Sequence, residues 1–209
     1  MEKHIYLVRH GQSESNADGI MRGHEAKLTD SGREQAMVAA ERIKRIGVDS
    51  IISSPFPRAH DTAFFIGERV GLPVEVNELF SEWSEPSLAN GKHRDHPDVR
   101  DMFFALYSEP DPAYRHEDEE TFLELLDRAK AAEQVLKEHP ASRLAVVSHG
   151  GFLTFLTGLL VFKREFNKTI FHHMILNMSM TNTGITYLKK KDEKSGWVLM
   201  TWNDQSHLG

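Results

Sequence analysis

The chain of 209 residues contains no cysteine. This absence excludes disulfide scaffolds, thiolate zinc sites, iron–sulfur clusters and every enzyme whose nucleophile is a cysteine. An excess of basic residues is also missing, since 25 Lys and Arg stand against 31 Asp and Glu, for a formal net charge of −6. Nucleic-acid binders usually carry a basic excess or a basic stripe, so we expect no nucleic-acid partner.

Long hydrophobic runs are absent as well. The apolar stretch Ile5–Val8 ends at Arg9, which is too early for a signal peptide. The most apolar later run, from Phe152 to Phe162, is interrupted by Thr and Gly and falls short of the roughly 20 residues that cross a bilayer. We therefore expect no membrane association and a cytoplasmic protein.

What the chain does contain is an alternation of β-type and helical segments. Strands are predicted at His4–Val8, Asp49–Ser53, Val74–Val76 and Leu144–Ser148, with a final hairpin formed by 184–188 and 197–202. Helices are predicted from Thr29 to Gly47, from Arg58 to Val70, and over Thr121–His139 and Gly150–Phe162. This order predicts an α/β fold, a three-layer sandwich with a mostly parallel central sheet and helices on both faces. No repeat or linker divides the chain, so we expect one domain over residues 1–209.

The alternation is interrupted between residues 84 and 120. This stretch is rich in His, Arg and aromatic residues, and only one short helix is predicted in it, Val99–Tyr107. It is punctuated by Pro86, Pro97, Pro110 and Pro112. We interpret 84–120 as an insertion that forms a small cap over the sheet.

Arginine, histidine and glycine follow three of the predicted strands, in the segments Arg9-His10-Gly11, Ser53-Ser54-Pro55-Phe56-Pro57-Arg58 and His149-Gly150-Gly151. Because ligands bind at the carboxyl ends of strands in an open parallel sheet, we expect these side chains to meet at one edge. Arg9, His10, Arg58 and His149 would then form an anion site, in which planar guanidinium groups suit phosphate oxygens. The helix after Gly150 would point its positive end inward. The sequence therefore predicts a phosphate site.

Together these segments resemble the histidine phosphatase superfamily, in the branch that includes cofactor-dependent phosphoglycerate mutases. A lone Arg-His-Gly would carry little information, whereas several motifs in family order are highly specific. The matching segments are Leu7-Val8-Arg9-His10-Gly11-Gln12-Ser13-Glu14-Ser15-Asn16, Gly23 with Leu28-Thr29-Asp30-Ser31-Gly32, Ser53-Ser54-Pro55 through Arg58-Ala59 and Thr62-Ala63, and Val147-Ser148-His149-Gly150-Gly151. The resemblance is weak between about residues 86 and 140.

The resemblance implies phosphoryl transfer through a phosphohistidine. His10 would attack phosphorus, which suits a chain that has no cysteine nucleophile. Arg9, Arg58 and His149 would stabilise the charge on the phosphate oxygens, and for that role His149 should be protonated or at least donate a proton. The residues expected to contact the substrate are Arg9, Asn16, Gly23, Arg58, His149 and Gly150. The resemblance implies no metal and no organic cofactor.

The leaving oxygen also needs a proton, which the family takes from a Glu in a Leu-x-Glu setting shortly after the third strand. Phe80-Ser81-Glu82 fits this setting best, so we expect Glu82 to be the general acid and then the base toward water. The usual Gly-x-Trp-Glu-Gly continuation is absent, and Ser84-Glu85-Pro86-Ser87 stands in its place. Glu85 and Glu78 therefore remain open as alternatives.

Other functions fit the sequence less well. A mutase of this family would carry an Arg-Arg segment and a Pro-rich stretch in its cap, and neither is present. A non-catalytic phosphate-binding module would usually have lost one of the site residues. A serine-hydrolase elbow at Val146–Gly150 lacks its first Gly and would leave Arg9 and His10 unexplained. No His-Glu-x-x-His spacing indicates a metal.

We therefore expect a metal-independent phosphomonoesterase that acts on a small phosphorylated metabolite. Phosphoglycerate mutase-type transfer and a non-catalytic phosphate-binding module of the same fold are the alternatives. The sequence leaves open the physiological substrate and the oligomeric state, for which a homodimer is one option.

Overall fold

The computed structural model describes residues 2–209 and contains a sheet of six strands. They are β1 (Lys3–Arg9), β2 (Ser50–Ser53), β3 (Val74–Val76), β4 (Arg143–Ser148), β5 (Ile185–Lys190) and β6 (Val198–Asp204), in the spatial order β3-β2-β4-β1-β5-β6. The first four are mutually parallel, while β5 is antiparallel to β1 and β6 to β5. The prediction of a mostly parallel α/β sheet is confirmed.

Seven α-helices accompany the strands in the described residues. They are α1 (Glu14–Asp18), α2 (Asp30–Ile46), α3 (Pro57–Val70), α4 (Pro97–Ser108), α5 (Phe122–Glu138), α6 (Gly150–Phe162) and α7 (Lys168–Asn177). Short 3-10 turns lie at Glu78–Phe80, Ser87–Ala89 and Lys163–Glu165. Helices α2 to α6 begin and end at or near the predicted residues, whereas α1 and α7 were not predicted.

Local side-chain chemistry sets the ends of the two longest helices. The Thr29 hydroxyl accepts a hydrogen bond from the Gly32 amide (3.0 Å) at the start of α2, and Gly47 ends that helix with a φ of 75°. At the start of α5, Thr121 and Glu124 each accept the other's backbone N–H, which is a capping box. These caps explain why the sequence signals located both helices.

The sheet is buried on both faces because alternate residues of its strands point to opposite helix layers. On β1, Ile5 and Leu7 pack into a core cluster with residues of α5, α6 and α7. Tyr6 and Val8 pack into a second cluster with residues of α2 and α3. With both faces covered, the carboxyl ends of β1, β2 and β4 are the part of the sheet that can meet a ligand.

The segment between residues 84 and 120 forms one wall over that end of the sheet. Its helix α4 contributes Val99, Met102 and Leu106 to a small apolar cluster of its own, which also includes Ala89. Several of its residues line the same cavity as His10. Across residues 2–209, none of the helices is both long and apolar enough to cross a membrane.

Candidate active site

The predicted site residues do converge at the carboxyl ends of β1 and β4 and at the start of α3. Arg9, His10, Asn16, Gly23, Arg58 and Glu82 line a cavity of about 930 Å³ that is closed on one side by the 84–120 segment. His149 and Gly150 do not line it, although the centroid of the His149 ring lies 5.2 Å from that of the His10 ring. A separate cavity of about 720 Å³, near the amino-terminal end of β1, contains none of them.

His10 is held in one tautomer by its own backbone neighbour. Its Nδ1 lies 2.6 Å from the Gly11 carbonyl oxygen, which can only accept, so Nδ1 carries the proton. Its Nε2 therefore keeps a lone pair, toward which Arg58 Nε donates at 3.2 Å. Burial, followed by the nearby Arg58 and Arg9 charges, lowers the pKa of His10 well below its usual value. The ring is consequently a neutral imidazole with its nucleophilic nitrogen facing a guanidinium group.

Two arginines flank this nitrogen. Arg58 is only 8% exposed and also donates from Nη1 to the Gly23 carbonyl (2.9 Å). Arg9 donates from Nη1 to the Met180 carbonyl, while its buried Nε has no hydrogen-bond partner. A Cβ on Gly150 would lie 3.4 Å from that Nε, so glycine leaves room beside it.

His149 is fully buried and is fixed through Ser54. Its Nε2 lies 2.7 Å from Ser54 Oγ, which in turn accepts a hydrogen bond from the Phe56 amide. When the Ser54 hydroxyl donates to Nε2, the proton of a neutral ring lies on Nδ1. This Nδ1 is buried without a partner. Burial, and then the charges of Arg58, His10 and Arg9, lower the pKa of His149 well below its usual value.

From the sequence, His149 was expected to be protonated or at least to donate a proton to the phosphate. The geometry favours the second form, a neutral ring that donates through Nδ1. A buried N–H without an acceptor costs on the order of 1–3 kcal/mol. Arg9 Nε and His149 Nδ1 are two such donors, and they come from strand ends that are paired in the sheet at Arg9 and Ser148. A group with several acceptor oxygens, such as phosphate, would satisfy both.

Glu82 lies against the first turn of α6. Its carboxylate oxygens accept hydrogen bonds from the Phe152 amide (2.7 Å), the Gly151 amide (3.2 Å) and the Trp83 amide (2.9 Å). A Cβ on Gly151 would lie 2.8 Å from Glu82 Oε1, so a larger residue at 151 would displace the carboxylate from this position. Glu82 is thus fixed at the edge of the cavity, between the α6 amino terminus and the 84–120 segment.

Arg128 of α5 holds the backbone that carries Glu82. It donates to the carbonyls of Ser81 (2.8 Å) and Leu79 (3.0 Å) and pairs with Glu120, with both partners largely buried. Arg128 was not predicted from the sequence. It precedes Ala129, which lies on the apolar face of a predicted amphipathic helix. A charge at that position needs a buried partner, and this requirement could have indicated a structural role.

The two alternative carboxylates differ sharply. Glu85 is half-buried and lines the cavity. Burial raises its pKa to about 7, with a further contribution from the Glu82 carboxylate, while Arg58 and Arg94 oppose the rise. Glu78, by contrast, is exposed and lies outside the cavity lining. The structure thus leaves Glu82 and Glu85 as the carboxylates at the site.

Asn16 and Gly23 line the cavity as predicted, and a further amide joins them. Asn182 donates from Nδ2 to Asn16 Oδ1 (3.0 Å) and to the His10 carbonyl (3.0 Å). Asn182 lies in the connection between α7 and β5 and was missed, because a short polar stretch before a strand looks like any other turn. Its contacts hold the backbone of His10 against α1.

The structure also bears on two alternatives that the sequence disfavoured, a serine-hydrolase elbow and a metal site. Ser148, the nucleophile of a serine-hydrolase elbow, is fully buried and donates to the Phe80 carbonyl (2.6 Å) instead of facing the cavity. Within residues 2–209, no group of three or more His, Asp or Glu side chains is placed to hold a metal ion.

Comparisons with known proteins agree with this arrangement. A family model described as the histidine phosphatase superfamily (branch 1) matches residues 5–205. The chain is 32% identical over 206 residues to "Putative phosphoserine phosphatase 2" of Hydrogenobacter thermophilus, with 95% of each protein covered. It is 30% identical to the metal-independent phosphoserine phosphatase of Arabidopsis thaliana, covering 98% of this chain and 82% of that protein. It is 29% identical to "Probable phosphoglycerate mutase GpmB" of Escherichia coli, covering 98% and 94%.

Solved structures share the whole fold. The mycobacterial glucosyl-3-phosphoglycerate phosphatase has a TM-score of 0.79 at 25% identity, with 97% of this chain and 100% of that chain covered. The phosphoserine phosphatase of Entamoeba histolytica, solved as a histidine-to-alanine variant with phosphoserine, has a TM-score of 0.77 at 25% identity, covering 99% and 100%.

Proposed function

The chain belongs to the histidine phosphatase superfamily, and on that basis we propose that it is a metal-independent, cytoplasmic phosphomonoesterase that works through a phosphohistidine at His10. Phosphatase activity itself follows from relatives of 30% and 32% identity that are named phosphatases. The names of the relatives point to small phosphorylated metabolites such as phosphoserine and phosphoglycerate esters.

One observation carries this proposal. The lone pair of His10 Nε2 lies beside Arg58 Nε, and two buried nitrogens without a partner, Arg9 Nε and His149 Nδ1, belong to residues close by, the His149 ring centroid lying 5.2 Å from that of His10. Phosphoryl transfer needs a nucleophile in line with phosphorus and donors around the equatorial oxygens, where the transition-state charge resides. This set of groups supplies both without a metal.

The first half-reaction forms a bond between His10 Nε2 and phosphorus while the ester P–O bond breaks. The proton on Nδ1, held by the Gly11 carbonyl, stays in place and stabilises the positive charge that develops on the ring. Arg9, Arg58 and His149 bind the phosphoryl oxygens. Glu82 gives its proton to the leaving alkoxide, which departs as the alcohol.

The second half-reaction hydrolyses the phosphohistidine. Glu82, now a carboxylate, takes a proton from water as the water oxygen attacks phosphorus and the P–N bond breaks. Inorganic phosphate leaves and His10 is again neutral. Glu85 is the second candidate for the proton carrier, because its pKa near 7 provides both protonation states at neutral pH.

A mutase is the alternative function, favoured by the similarity to the Escherichia coli relative. The same phosphohistidine would then return its phosphoryl group to a bound alcohol instead of to water. The two functions differ in their product, since only hydrolysis releases inorganic phosphate in proportion to the ester consumed.

The test measures phosphate release from a panel of phosphomonoesters in the presence of EDTA. We expect the wild type to turn over and His10→Ala to lose activity on the order of 10³-fold or more. Glu82→Gln should lose about 10²-fold on alkyl phosphates and much less on para-nitrophenyl phosphate, whose leaving group needs no proton.

Two results would contradict the proposal. Loss of activity on chelation would show that a metal takes part. Isomerised phosphoester without phosphate release would show a mutase. If Glu85→Gln, and not Glu82→Gln, gave the dependence on leaving group, the proton carrier would be Glu85.

A further inference from the structure

The 84–120 wall of the cavity carries two charged side chains that have no partner within the described part of the protein. Glu85 is half-buried and Arg94 is exposed, and both line the cavity. Among the residues that the structure describes, neither side chain forms a hydrogen bond or an ion pair. They have opposite charge and lie close enough for Arg94 to lower the pKa of Glu85, yet they do not form a salt bridge with each other.

Most other charged groups on the cavity wall are already engaged. Arg22 pairs with Asp18, Asp118 accepts from the Ser87 amide, Glu14 accepts from the Lys27 amide, and Glu82 binds the first turn of α6. Glu25 is exposed on the loop that carries Gly23. Glu85 and Arg94 are thus a pair of opposite charges on the 84–120 wall whose interactions remain available to a ligand.

Both charges lie next to the phosphate site. Arg94 is close enough to Arg9 to lower the pKa of that guanidinium, and Glu85 is close enough to Arg58 to oppose the effect of burial on Arg58. A phosphoester bound by Arg9 and Arg58 would therefore present the rest of its molecule to one acidic and one basic side chain. A substituent with one cationic and one anionic group matches this arrangement.

We propose that Glu85 binds the ammonium group and Arg94 the carboxylate of an amino-acid phosphate ester, of which phosphoserine is the smallest. The proposal rests on the proposed phosphatase function of the same site. A sugar phosphate would cover both charges with neutral hydroxyl groups and leave them poorly compensated. A second phosphate group would be repelled by Glu85, and a purely cationic substituent would leave Arg94 unused.

The protonation of Glu85 gives the proposal an additional signature. Because burial raises its pKa to about 7, Glu85 becomes ionised between pH 6 and pH 8. Selectivity for an ammonium group should rise over this range, and it should rise less when residue 85 cannot ionise. Phosphate ionisation also changes over this range, and the same ratio measured in Glu85→Gln contains its contribution without that of the Glu85 charge.

The experiment compares three esters that differ by one group each. 3-Phosphoglycerate replaces the ammonium of phosphoserine by a hydroxyl, and phosphoethanolamine lacks the carboxylate. Values of kcat/KM are measured with EDTA for the wild type, Glu85→Gln, Arg94→Met and the control Glu117→Gln, an exposed acid of the 84–120 segment that does not line the cavity.

We expect the wild type to prefer phosphoserine to both other esters. Glu85→Gln should lose its preference over 3-phosphoglycerate by about tenfold or more, the size of one charged hydrogen bond, and should keep its preference over phosphoethanolamine. Arg94→Met should do the reverse, and Glu117→Gln should change neither ratio. From pH 6 to pH 8, the phosphoserine to 3-phosphoglycerate ratio should rise more in the wild type than in Glu85→Gln.

A wild type without a preference for phosphoserine would overturn the proposal, as would an equal loss of activity on all three esters in Glu85→Gln. The proposed function fails separately, through the absence of His10-dependent release of para-nitrophenol from para-nitrophenyl phosphate. In that event, calorimetric binding of the three esters to His10→Ala, with and without Glu85→Gln, still measures recognition. Equal affinities for phosphoserine and 3-phosphoglycerate would then overturn it.

Discussion

At the scale of single residues, the site depends on which nitrogen of each histidine carries a proton. The Gly11 carbonyl settles this for His10, and the Ser54 hydroxyl selects the tautomer of His149 when it donates to Nε2. The sequence motifs supply the histidines and these two groups together, because Gly11 follows His10 directly and Ser54 follows β2. Neither the Gly11 carbonyl nor the Ser54 hydroxyl is charged, so neither favours the protonated form of its histidine, and both rings stay neutral near the two guanidinium groups.

Replacing Ser54 by Ala tests the control of His149. The variant removes the hydroxyl that is directed at His149 Nε2, so the ring can rotate or change tautomer, and Nδ1 no longer donates reliably to a phosphate oxygen. We expect kcat to fall by about tenfold, equivalent to one hydrogen bond, with the fold preserved. Steady-state kinetics and circular dichroism provide the measurement.

Ser53→Ala is the matched control. Ser53 is equally buried and precedes Ser54 on the same strand, but its hydroxyl donates to the Ser54 carbonyl (2.8 Å) and not to a site residue. A similar loss of kcat in both variants would attribute the effect to the strand and contradict the role assigned to Ser54.

At the scale of elements, Arg9 and His10 come from the end of β1 and Arg58 from the first turn of α3, whereas the position of Glu82, the proposed proton carrier, depends on helix packing. The 3-10 turn Glu78–Phe80 and the residues that follow are held against α5 by Arg128 and against α6 by the amides that Glu82 accepts. The position of Glu82 is therefore set by contacts with two helices, α5 and α6, that lie far from it in sequence.

Removing Arg128 tests this link. We expect Arg128→Met combined with Glu120→Gln, which leaves no unpaired buried charge, to loosen the Glu82 segment. Activity on alkyl phosphates should fall by about 10-fold or more, while activity on para-nitrophenyl phosphate changes little. The ratio of kcat between the two ester types is the measurement that separates positioning from a general loss of stability.

Lys130→Met provides the comparison on the same helix. Lys130 forms an exposed ion pair with Asp127 and touches none of the site residues. An equal fall on both ester types in the Arg128 variant, or a matching effect of Lys130→Met, would show that Arg128 only stabilises the fold.

Elements also mark the limits of what could be predicted from the sequence. The strand ends, the caps of α2 and α5 and the Arg-His-Gly segment carry local signals, so the sheet edge and four site residues were found. Helix α7 was not predicted because its apolar residues show no clear helical period. The connection after α7, in which Asn182 donates to the His10 carbonyl, was therefore not predicted either. Arg128 and Ser54 act through tertiary contacts, which no local pattern encodes.

At the scale of the whole molecule, the buried site makes stability depend on pH. Burial lowers the pKa of both His10 and His149, so the unfolded chain binds protons more readily than the folded one as pH falls. Stability from these groups is fully present above the unfolded pKa of about 6.5 and is lost below it. We expect the free energy of unfolding, measured in urea, to fall between pH 7 and pH 5.

His149→Asn should reduce this loss, because one of the two histidines that resist protonation is then gone. His116→Asn is the control, since His116 is exposed. A loss of the same size in the wild type and both variants would assign the pH dependence to other groups.

The spatial order of the strands has a consequence for how the protein is made. Strand β4 lies between β1 and β2 although it is synthesised some 90 residues after β2, so the two early strands cannot pair directly in their final positions. The Asn182 connection that braces His10 arrives later still. A chain in which β4 and the Asn182 connection have not yet been synthesised therefore has His10 but no finished pocket, so we expect phosphatase activity to begin only when nearly all of the chain has been translated.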